Sequence, residues 1–395
     1  MKKINIIQFM PYFPPHKWWV ETVWQEIGKY WCKNNYWSFT NVIFDIWQLN
    51  NNNYELDWYK VILLPSFDII PNFPFPKFWN KQFWNVFKEL KLLINSSKQV
   101  NDNIEQNYVV ITHTRFFLSS YIWWLFSRKN KLKWLHIEHW SDYVKLWSKI
   151  KSKISYFYDR LIWKWIFKKC DKIIAISWAC KNFILNEFIT RDIDIIYRWL
   201  DNSLDTNINT IDLKEKFPWK IIIWFVWRIL KWKNVDSLIN AYYLLNDDIK
   251  NKIQIVIVWD WEELINLKNI DKNNQIYFTW SKWFNEALLI QKQFDIHFHT
   301  SSPWWWLATT LLQAMYLWCF IIATPYEWAN EVIDDSVNWI LLENDFVESI
   351  KKWIEKWIEN LDKKNDYSIV NTKIISEKFN RNTSIEKIYK VLNNI

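Results

Sequence analysis

Glycine is almost absent from this chain: Gly28 is the single one among 395 residues, beside 34 tryptophans. Glycine enters left-handed turns, helix ends and close backbone approaches at little cost, and at its ordinary frequency about 28 glycines would be expected here. One glycine and 34 tryptophans sum to 35, which is close to an ordinary glycine quota together with a few tryptophans. The chain therefore either forms its turns at a conformational cost, or has glycine in the native protein at positions where the sequence shows another residue.

Many of the tryptophans stand where a hydrophobic run must turn sharply. The segments are IIIWFVWRILKWKNVDSLINAY, IVIVWDWEEL, AISWAC, SSPWWWLATT, PHKWWVE and YLWCF. With glycine in place of tryptophan, each becomes an ordinary turn between a strand and a helix. Trp31, Trp79 and Trp84 instead sit among apolar, helix-like neighbours, and we interpret these three as genuine. We hypothesise that the gene uses UGA for glycine and was translated with a code in which UGA means tryptophan.

An alternative role for the indoles is stacking on sugars or single-stranded bases. Such platforms place aromatic side chains on strand faces and in grooves. They leave the missing turn glycines unexplained.

Composition excludes several classes of protein. Hydrophobic residues at 50% and charged residues at 23% exclude a disordered or collagen-like chain. No apolar run reaches the roughly 18 residues that span a bilayer, and the first residues pass from two lysines into a strand-like run, so we expect neither a membrane-spanning nor a secreted protein. Cys32, Cys170, Cys180 and Cys319 lack metal-ligand spacing and are expected to be reduced, buried thiols of a cytoplasmic protein.

Short β-branched runs alternate with helix-length amphipathic stretches, a pattern typical of parallel sheets covered by helices. Predicted strands are Ile4–Phe9, Asn41–Asp45, Val61–Pro65, Tyr108–His113, Leu135–Glu138, Lys172–Ile176, Lys220–Val226, Gln254–Val258, Gln275–Phe278, Asp295–His299, Phe320–Ala323 and Trp339–Leu342. We predict an α/β fold of two tandem Rossmann-like, doubly wound domains, residues 1–197 and 219–371, joined by a linker at 198–218. The ligand cleft is expected between the domains, at the carboxyl ends of both sheets. Residues 372–395 are predicted to form a helix that packs back on the first domain.

Six segments, in order along nearly the whole chain, carry a family pattern. They are QFMPYFPPHKWWVETV, LHIEHWSDYVKL, VWRILKWKNVDSLINAY, IVIVWDWEEL, SSPWWWLATTLLQAMYLWCFIIATPYEWANEVI and VNWILLEND. With tryptophan read as glycine, the chain resembles the retaining glycosyltransferases of family 4, which have the GT-B fold. The resemblance implies a hexosyltransferase that moves a sugar from a nucleotide-diphosphate-sugar co-substrate to a glycan or lipid-linked acceptor in polysaccharide or glycoconjugate synthesis. It implies no cofactor, and because no D-x-D motif stands on a predicted cleft loop, we expect metal-independent transfer.

The resemblance places diphosphate binding after the first strand of the second domain. Arg228 and Lys233 match the family's cationic pair, in which a guanidinium forks two hydrogen bonds to phosphate oxygens and a lysine adds a point charge. Together they would offset the charge that grows on the leaving diphosphate. Trp227, at the glycine before that arginine, and Glu331, at a family glutamate, are also assigned to donor binding. As the alternative interpretation, Arg228 and Lys233 are ordinary cations of a loop, and Glu331 is a carboxylate that stabilises the N-terminus of a helix.

A second donor segment precedes and opens a predicted helix. Thr309, Thr310 and Leu311 match its first turn, whose free N–H groups and dipole favour an anion. The family has two glutamates eight residues apart, and this chain has Trp305 and Gln313 at those positions. Gln313 still offers hydrogen bonds to a ribose hydroxyl, but without a charge, so the resemblance does not fix the donor sugar.

Histidines follow strands of the first domain. By resemblance, His139 lies beside the transferred sugar and contacts its hydroxyls, and a structural histidine is the alternative. His113 ends another predicted strand and either joins this site or holds its loop. His16 is a further candidate beside Trp18 and Trp19, which stand at a glycine pair that would bring the backbone close to the diphosphate.

One segment of the first domain is strongly basic. Between Lys145 and Lys172, nine basic residues stand against two acidic ones, interleaved with apolar residues. Such a stretch can lie on an anionic leaflet and approach a lipid-linked acceptor, which would place the protein peripherally at the inner face of the cell membrane. A solvated helix face is the alternative.

Other functions stay open at this point. A non-catalytic sugar-nucleotide or glycan-binding relative is motivated by the missing glutamates, and a GT-B epimerase or phosphorylase would share the fold. The net charge of +8 also raises nucleic-acid binding, but no such motif is recognisable. We expect a nucleotide sugar and its acceptor as partners, and no nucleic acid.

Overall fold

The computed structural model divides the chain into two compact units, Met1–Arg198 with Asn382–Ile395, and Trp199–Arg381. It describes residues 4–10, 12, 19–34, 38–46, 54–56, 59–70, 73–99, 107–115, 117–143, 148–200, 210–226, 231–258, 263–279, 284–301, 309–325, 329–334, 340–344, 346–358 and 361–395.

The first unit is built on a mostly parallel sheet. Its strands are β1 (Ile4–Met10), β2 (Phe39–Asp45), β3 (Tyr54–Leu56), β4 (Tyr59–Ile70), β5 (Phe73–Pro76), β6 (Asn107–His113), β7 (Lys133–Glu138), β8 (Lys172–Ala175) and β9 (Asp194–Ile195). They are ordered β3-β4-β2-β1-β6-β7-β8-β9, with β5 paired to β4. Every residue of β1 and β2 is buried, as expected for parallel strands that are covered on both faces.

Helices cover this sheet. They are α1 (Trp19–Lys33), α2 (Lys81–Gln99), α3 (Leu118–Lys129), α4 (Lys149–Phe157), α5 (Lys164–Phe167) and α6 (Trp178–Glu187), with a π-helical turn at Tyr158–Trp163 between α4 and α5. Ser177 caps α6, because its side chain accepts a hydrogen bond from the Cys180 N–H.

The second unit has a parallel sheet throughout its described strands. These are β10 (Ile221–Val226), β11 (Ile253–Val258), β12 (Tyr277–Thr279), β13 (Ile296–His299), β14 (Phe320–Ala323) and β15 (Ile340–Leu341), in the order β12-β11-β10-β13-β14-β15. Its helices are α7 (Leu213–Lys216), α8 (Val235–Tyr243), α9 (Asp247–Lys252), α10 (Leu264–Ile270), α11 (Phe284–Gln291), α12 (Thr309–Tyr316), α13 (Val347–Ile358) and α14 (Lys364–Lys378). Aliphatic side chains of β10, β11 and β13 form one core with those of α8 and α13.

The end of the chain differs from the single helix expected over 372–395. The structure has α14 and then α15 (Arg381–Asn393), separated at Phe379 and Asn380. Helix α15 belongs to the first unit, where the Ser384 hydroxyl donates to the Tyr197 carbonyl at 2.9 Å and the Tyr389 ring lies 5.3 Å from the Trp31 ring.

The tryptophans fall into different environments. Trp31 is fully buried, whereas Trp79 lies in a turn and is 73% exposed, so the helix-like setting expected for Trp79 is not what the structure has. Trp84 lies in α2, and its indole donates to the Phe78 carbonyl at 2.8 Å. An indole at position 224, for which the sequence offered no obvious place, is buried in β10 and stacks on Phe294 with 4.5 Å between ring centroids.

Among the residues that the structure describes, two tryptophans have left-handed backbone angles. Trp219 has φ 67° and Trp318 has φ 62°. Trp318 follows α12, and the next amide, Cys319 N–H, donates to the Ala314 carbonyl at 3.0 Å. That six-residue closure is the Schellman arrangement, in which the left-handed position is usually glycine. A bulky side chain at such angles costs roughly 1–2 kcal/mol.

Both sheets reverse their strand order at one point. The reversal lies between β1 and β6 in the first unit and between β10 and β13 in the second. In open parallel sheets, ligands bind beyond the carboxyl ends of the strands at this switch point. A ligand site is therefore expected among the residues that follow these strands.

Candidate functional site

In the second unit, Lys233 lies at the switch point. It ends the 3-10 turn Lys231–Lys233 that follows β10 and is only 3% exposed. Its ammonium donates to the Ser301 hydroxyl at 3.1 Å, just beyond β13. The structure thus brings together the loops that follow the two strands of the switch point.

Hydroxyl groups hold together the loop that ends at Lys233 and the residues Thr300 and Ser301, which we call the Lys233 junction. The Thr300 hydroxyl donates to the Lys233 carbonyl at 3.0 Å, and the Thr324 hydroxyl donates to the Ser301 carbonyl at 2.7 Å. Because an ammonium can only donate, Ser301 Oγ accepts from Lys233 and can give its own proton to His299 Nε2, which lies 3.4 Å away. Sequence reasoning missed these residues, although they directly follow predicted strands.

His297 lies beneath this junction and is fully buried in β13. Neither of its ring nitrogens has a hydrogen-bond partner among the described residues. Burial, with smaller contributions from His299 and Lys233, holds its pKa well below the usual range. His297 is therefore a neutral side chain that adds no charge beside Lys233.

Helix α12 presents the predicted first-turn residues. It begins at Thr309, so Thr309, Thr310 and Leu311 lie in its first turn, with Thr310 and Leu311 buried. Gln313 is buried in the same helix, and Glu331 is half-buried at the end of the 3-10 turn Ala329–Glu331. The backbone N–H groups of a first turn favour an anionic ligand.

Several predicted site residues lie outside the described residues. They are His16, Trp18, Trp227, Arg228 and Trp305. Trp19 begins α1, but its side chain is likewise outside the described part of the chain.

In the first unit, the structure brings His113 and His139 together. His113 ends β6, and His139 follows β7, the neighbouring strand. His113 Nδ1 lies 3.3 Å from His139 Nε2, so one ring donates a proton and the other accepts it. The two side chains are 1% and 8% exposed.

Both imidazoles are neutral at neutral pH. Burial lowers the pKa of His139 to about 4; Glu138 opposes this shift, whereas His136 and Arg198 add to it. Burial, followed by the charges of His139 and His136, lowers the pKa of His113 well below the usual range. A neutral imidazole can both donate and accept a hydrogen bond, as contact with a sugar hydroxyl requires.

A buried ionic cluster supports this histidine pair. Arg115 and Glu138 are fully buried, with Arg115 Nη1 3.4 Å from Glu138 Oε2 and Arg115 Nε 3.0 Å from Asp159 Oδ2. Although burial opposes ionisation, the Arg115 charge and the hydrogen bond from His136 hold the pKa of Glu138 at about 2. Burial raises the pKa of Asp159 to about 6, against the effect of Arg115.

The tautomer of His136 follows from its partners. The Trp134 indole can only donate, and it donates to the Thr112 hydroxyl at 2.8 Å. The ionised Glu138 carboxylate can only accept, so His136 Nε2 carries the ring proton and donates it to Glu138 Oε2 at 3.4 Å. The unprotonated His136 Nδ1 then accepts the Thr112 hydroxyl proton at 2.9 Å.

Sequence reasoning missed Arg115, Glu138 and Asp159. Arg115 stands two residues after His113, and Glu138 directly precedes His139. For Arg115 and Glu138, a charged residue at or just after the carboxyl end of a predicted buried strand was the available signal. Asp159 lies in a helical segment and had no such signal.

Comparisons with known proteins give consistent matches. Residues 209–373 match the family model described as Glycosyl transferases group 1, and residues 59–204 match the model described as Glycosyltransferase Family 4. An uncharacterized glycosyltransferase of Methanocaldococcus jannaschii is 39% identical over 403 residues, which cover 99% of this chain and 98% of the relative.

Solved structures share the architecture. HepE of Anabaena in complex with UDP has a TM-score of 0.68 and 13% identity, with 100% of both chains covered. A glycosyltransferase from Rickettsia africae has a TM-score of 0.69 and 17% identity, covering 99% of this chain and 98% of that one. The predicted α/β fold with two Rossmann-like domains is confirmed.

Proposed function

Because the chain belongs to the glycosyl transferases group 1, we propose that it is a retaining enzyme that moves a sugar from a nucleotide-diphosphate-sugar donor to a glycan or lipid-linked acceptor. The observation that carries this proposal is the buried Lys233 at the switch point of the second sheet, bonded to Ser301. The reaction would serve the synthesis of a surface polysaccharide or another glycoconjugate.

The donor's charge explains the choice of groups in the second unit. Negative charge grows on the diphosphate as the glycosidic bond breaks, and fixed positive groups stabilise that transition state. Lys233, with Arg228 and the first-turn N–H groups of α12, would bind the phosphate oxygens. We therefore propose that sugar transfer by this enzyme requires neither a cofactor nor a metal ion. The UDP bound to HepE, a protein of the same fold, supports a nucleotide donor.

The histidine pair suits the sugar end of the donor. A neutral His139 can donate to one hydroxyl or accept from another, and His113 Nδ1 at 3.3 Å fixes the ring that it contacts. We propose that His139 contacts the transferred sugar and that His113 sets its orientation.

A donor screen tests the proposed function. We expect one nucleotide sugar, at 100 times its Kd, to stabilise the protein by about 2.7 kcal/mol in a thermal-shift assay, and to yield a product with the donor's anomeric configuration by NMR. An inverted product, or no stabilisation by any nucleotide sugar, would contradict the proposal. Binding without turnover would indicate a non-catalytic relative, and a free epimer or sugar phosphate would indicate an epimerase or phosphorylase.

Gln313 is the observation that favours the non-catalytic alternative. It occupies the position of the second family glutamate and is buried in α12. An amide offers a hydrogen bond without the charge of a carboxylate, so donor binding would survive better than turnover.

We also propose that the basic segment docks on an anionic membrane. Ile150, Ile154, Phe157 and Leu161 recur at helical spacing and are 58–71% exposed. Exposed cations surround them, namely Lys149, Lys151, Lys153, Arg160, Lys164, Lys168 and Lys169. An apolar stripe between cations fits the interface of an anionic leaflet. No described helix is long and apolar enough to cross a bilayer.

Vesicle flotation tests this contact. We expect the protein to float with vesicles that contain phosphatidylserine and to stay behind with purely zwitterionic ones, and 0.5 M salt to release it because salt screens the lysines. Ile154→Ser with Leu161→Ser should weaken flotation at least tenfold, since each buried aliphatic side chain contributes about 1.5–3 kcal/mol. As a control, Ile369→Ser removes an exposed aliphatic residue of α14 (63% exposed). Equal binding to both kinds of vesicle would contradict the proposal that the basic segment recognises anionic lipid.

The backbone supports the glycine hypothesis, and we propose that Trp219 and Trp318 are glycines in the native protein. Both have positive φ, and Trp318 closes a Schellman turn. The same recoding would place glycine in the segments around Trp227 and Trp305. Mass spectrometry of the protein from its native source decides this, and tryptophan at positions 219 and 318 would refute it.

A further inference from the structure

Arg115 is a buried cation whose contacts converge on one loop. It follows β6 and is fully buried, and its guanidinium lies 4.8 Å from the Phe183 ring centroid. Besides Glu138 and Asp159, it binds the main chain beyond β7: Nη1 donates to the Trp140 carbonyl at 3.4 Å, and Nη2 donates to the Asp142 carbonyl.

Glu138 holds the beginning of the same loop. Its carboxylate accepts the His139 N–H at 2.8 Å, the Trp140 N–H at 3.0 Å and the Arg115 N–H at 3.2 Å. The loop from His139 to Asp142 is thus bound through its N–H groups by Glu138 and through its carbonyls by Arg115. These contacts fix the backbone that carries the His139 imidazole.

Asp159 sets the direction of the guanidinium. It lies in the π-helical turn Tyr158–Trp163. Such turns are rare in proteins, and those that occur are often found at functional sites. The turn points Asp159 inward to Arg115 Nε while Leu161 stays 70% exposed. Oδ1 of Asp159 has no hydrogen-bond partner among the described residues, so this carboxylate binds Arg115 through a single oxygen.

We propose that Arg115 is a positioning residue for sugar transfer, which fixes the loop His139–Asp142 so that the His139 imidazole meets the transferred sugar. This inference rests on the proposed function. Its geometric basis is that one guanidinium, with N–H donors on three nitrogens, contacts two carboxylates and two carbonyls at once. An ammonium has three donors on one atom and cannot reproduce that spread.

Arg115→Lys is the test, because lysine keeps the positive charge but lacks the N–H donors on three separate nitrogens. We expect kcat for sugar transfer to fall 10- to 100-fold, the size of effect that a displacement of about 1 Å produces. The donor KM should change less than about threefold, because the donor diphosphate is assigned to Lys233 in the other unit. Hydrogen exchange of the peptide 139–143 should accelerate, while exchange in β1 and β6 stays at the wild-type rate.

A matched control and a milder variant keep the test decisive. Arg128→Lys changes an exposed arginine of α3 and should leave kcat and exchange unchanged. Asp159→Asn retains an acceptor for Arg115 Nε at about half the strength, so it should accelerate exchange of the loop with a kcat loss of about threefold; it decides the matter if Arg115→Lys does not fold.

The two possible failures are distinguishable. A folded variant with wild-type kcat and wild-type loop exchange overturns the positioning role, and so does acceleration that is uniform over the whole unit. A wild-type protein that transfers no sugar from any donor refutes the proposed function instead. The loop exchange of Arg115→Lys then still decides whether Arg115 holds the loop.

Discussion

A Lys233→Met enzyme is expected to lose about 100- to 1,000-fold in kcat/KM for sugar transfer, the range found when one preorganised group that stabilises transition-state charge is removed. Lys233 is 3% exposed, so water screens its charge poorly. Methionine keeps much of the side-chain volume and removes the ammonium that reaches Ser301. The steady-state rate with the donor identified by screening measures the loss.

Lys231→Met is the matched control for Lys233→Met. Lys231 lies in the same 3-10 turn but is exposed, and an exposed lysine near bound phosphate contributes little beyond long-range attraction that salt screens. We expect less than a threefold change. Equal losses in the two variants would contradict a specific diphosphate contact, and so would a Lys233→Met enzyme that is folded and fully active.

The strands of both sheets were predictable because burial on both faces leaves a simple signal. Continuous runs such as INIIQFM and IQIVIV mark parallel strands covered by helices. The antiparallel additions were not predictable in this way. Strand β5 reads FPFP, and proline weakens any local preference for a sheet; its pairing with β4 is decided by tertiary contact.

The site was predictable where function sits directly at a strand end. His113 ends a predicted strand, His139 directly follows another, and Lys233 lies in the loop after a third; the parallel order brings the two histidines to neighbouring strands. The Arg115–Asp159 pair joins residues 44 positions apart, and the sequence around Asp159 indicates only an exposed basic helix. The inward direction of the Asp159 side chain depends on the π-helical turn, and no periodicity in the sequence predicted that turn.

The glycine hypothesis predicts opposite effects of the same substitution at two tryptophans. Trp219→Gly should raise the free energy of unfolding by about 1 kcal/mol, because Trp219 is fully exposed and has φ 67°, so glycine relieves the left-handed strain without losing buried surface. Trp31→Gly should lower it by about 3–5 kcal/mol, because Trp31 is fully buried in α1 and packs on Tyr389. Urea denaturation of each variant beside the parent measures both.

Trp219→Ala separates conformational strain from the mere loss of an exposed indole. Alanine keeps a Cβ atom and therefore keeps most of the left-handed cost, so its stability should stay near that of the parent and below that of Trp219→Gly. Trp318→Gly should show a smaller gain than Trp219→Gly, since Trp318 is 47% exposed and its partly buried ring contributes favourable contacts. If Trp219→Gly were as destabilising as Trp31→Gly, the left-handed turn would be no evidence for glycine, and the tryptophans would have to be read as they stand.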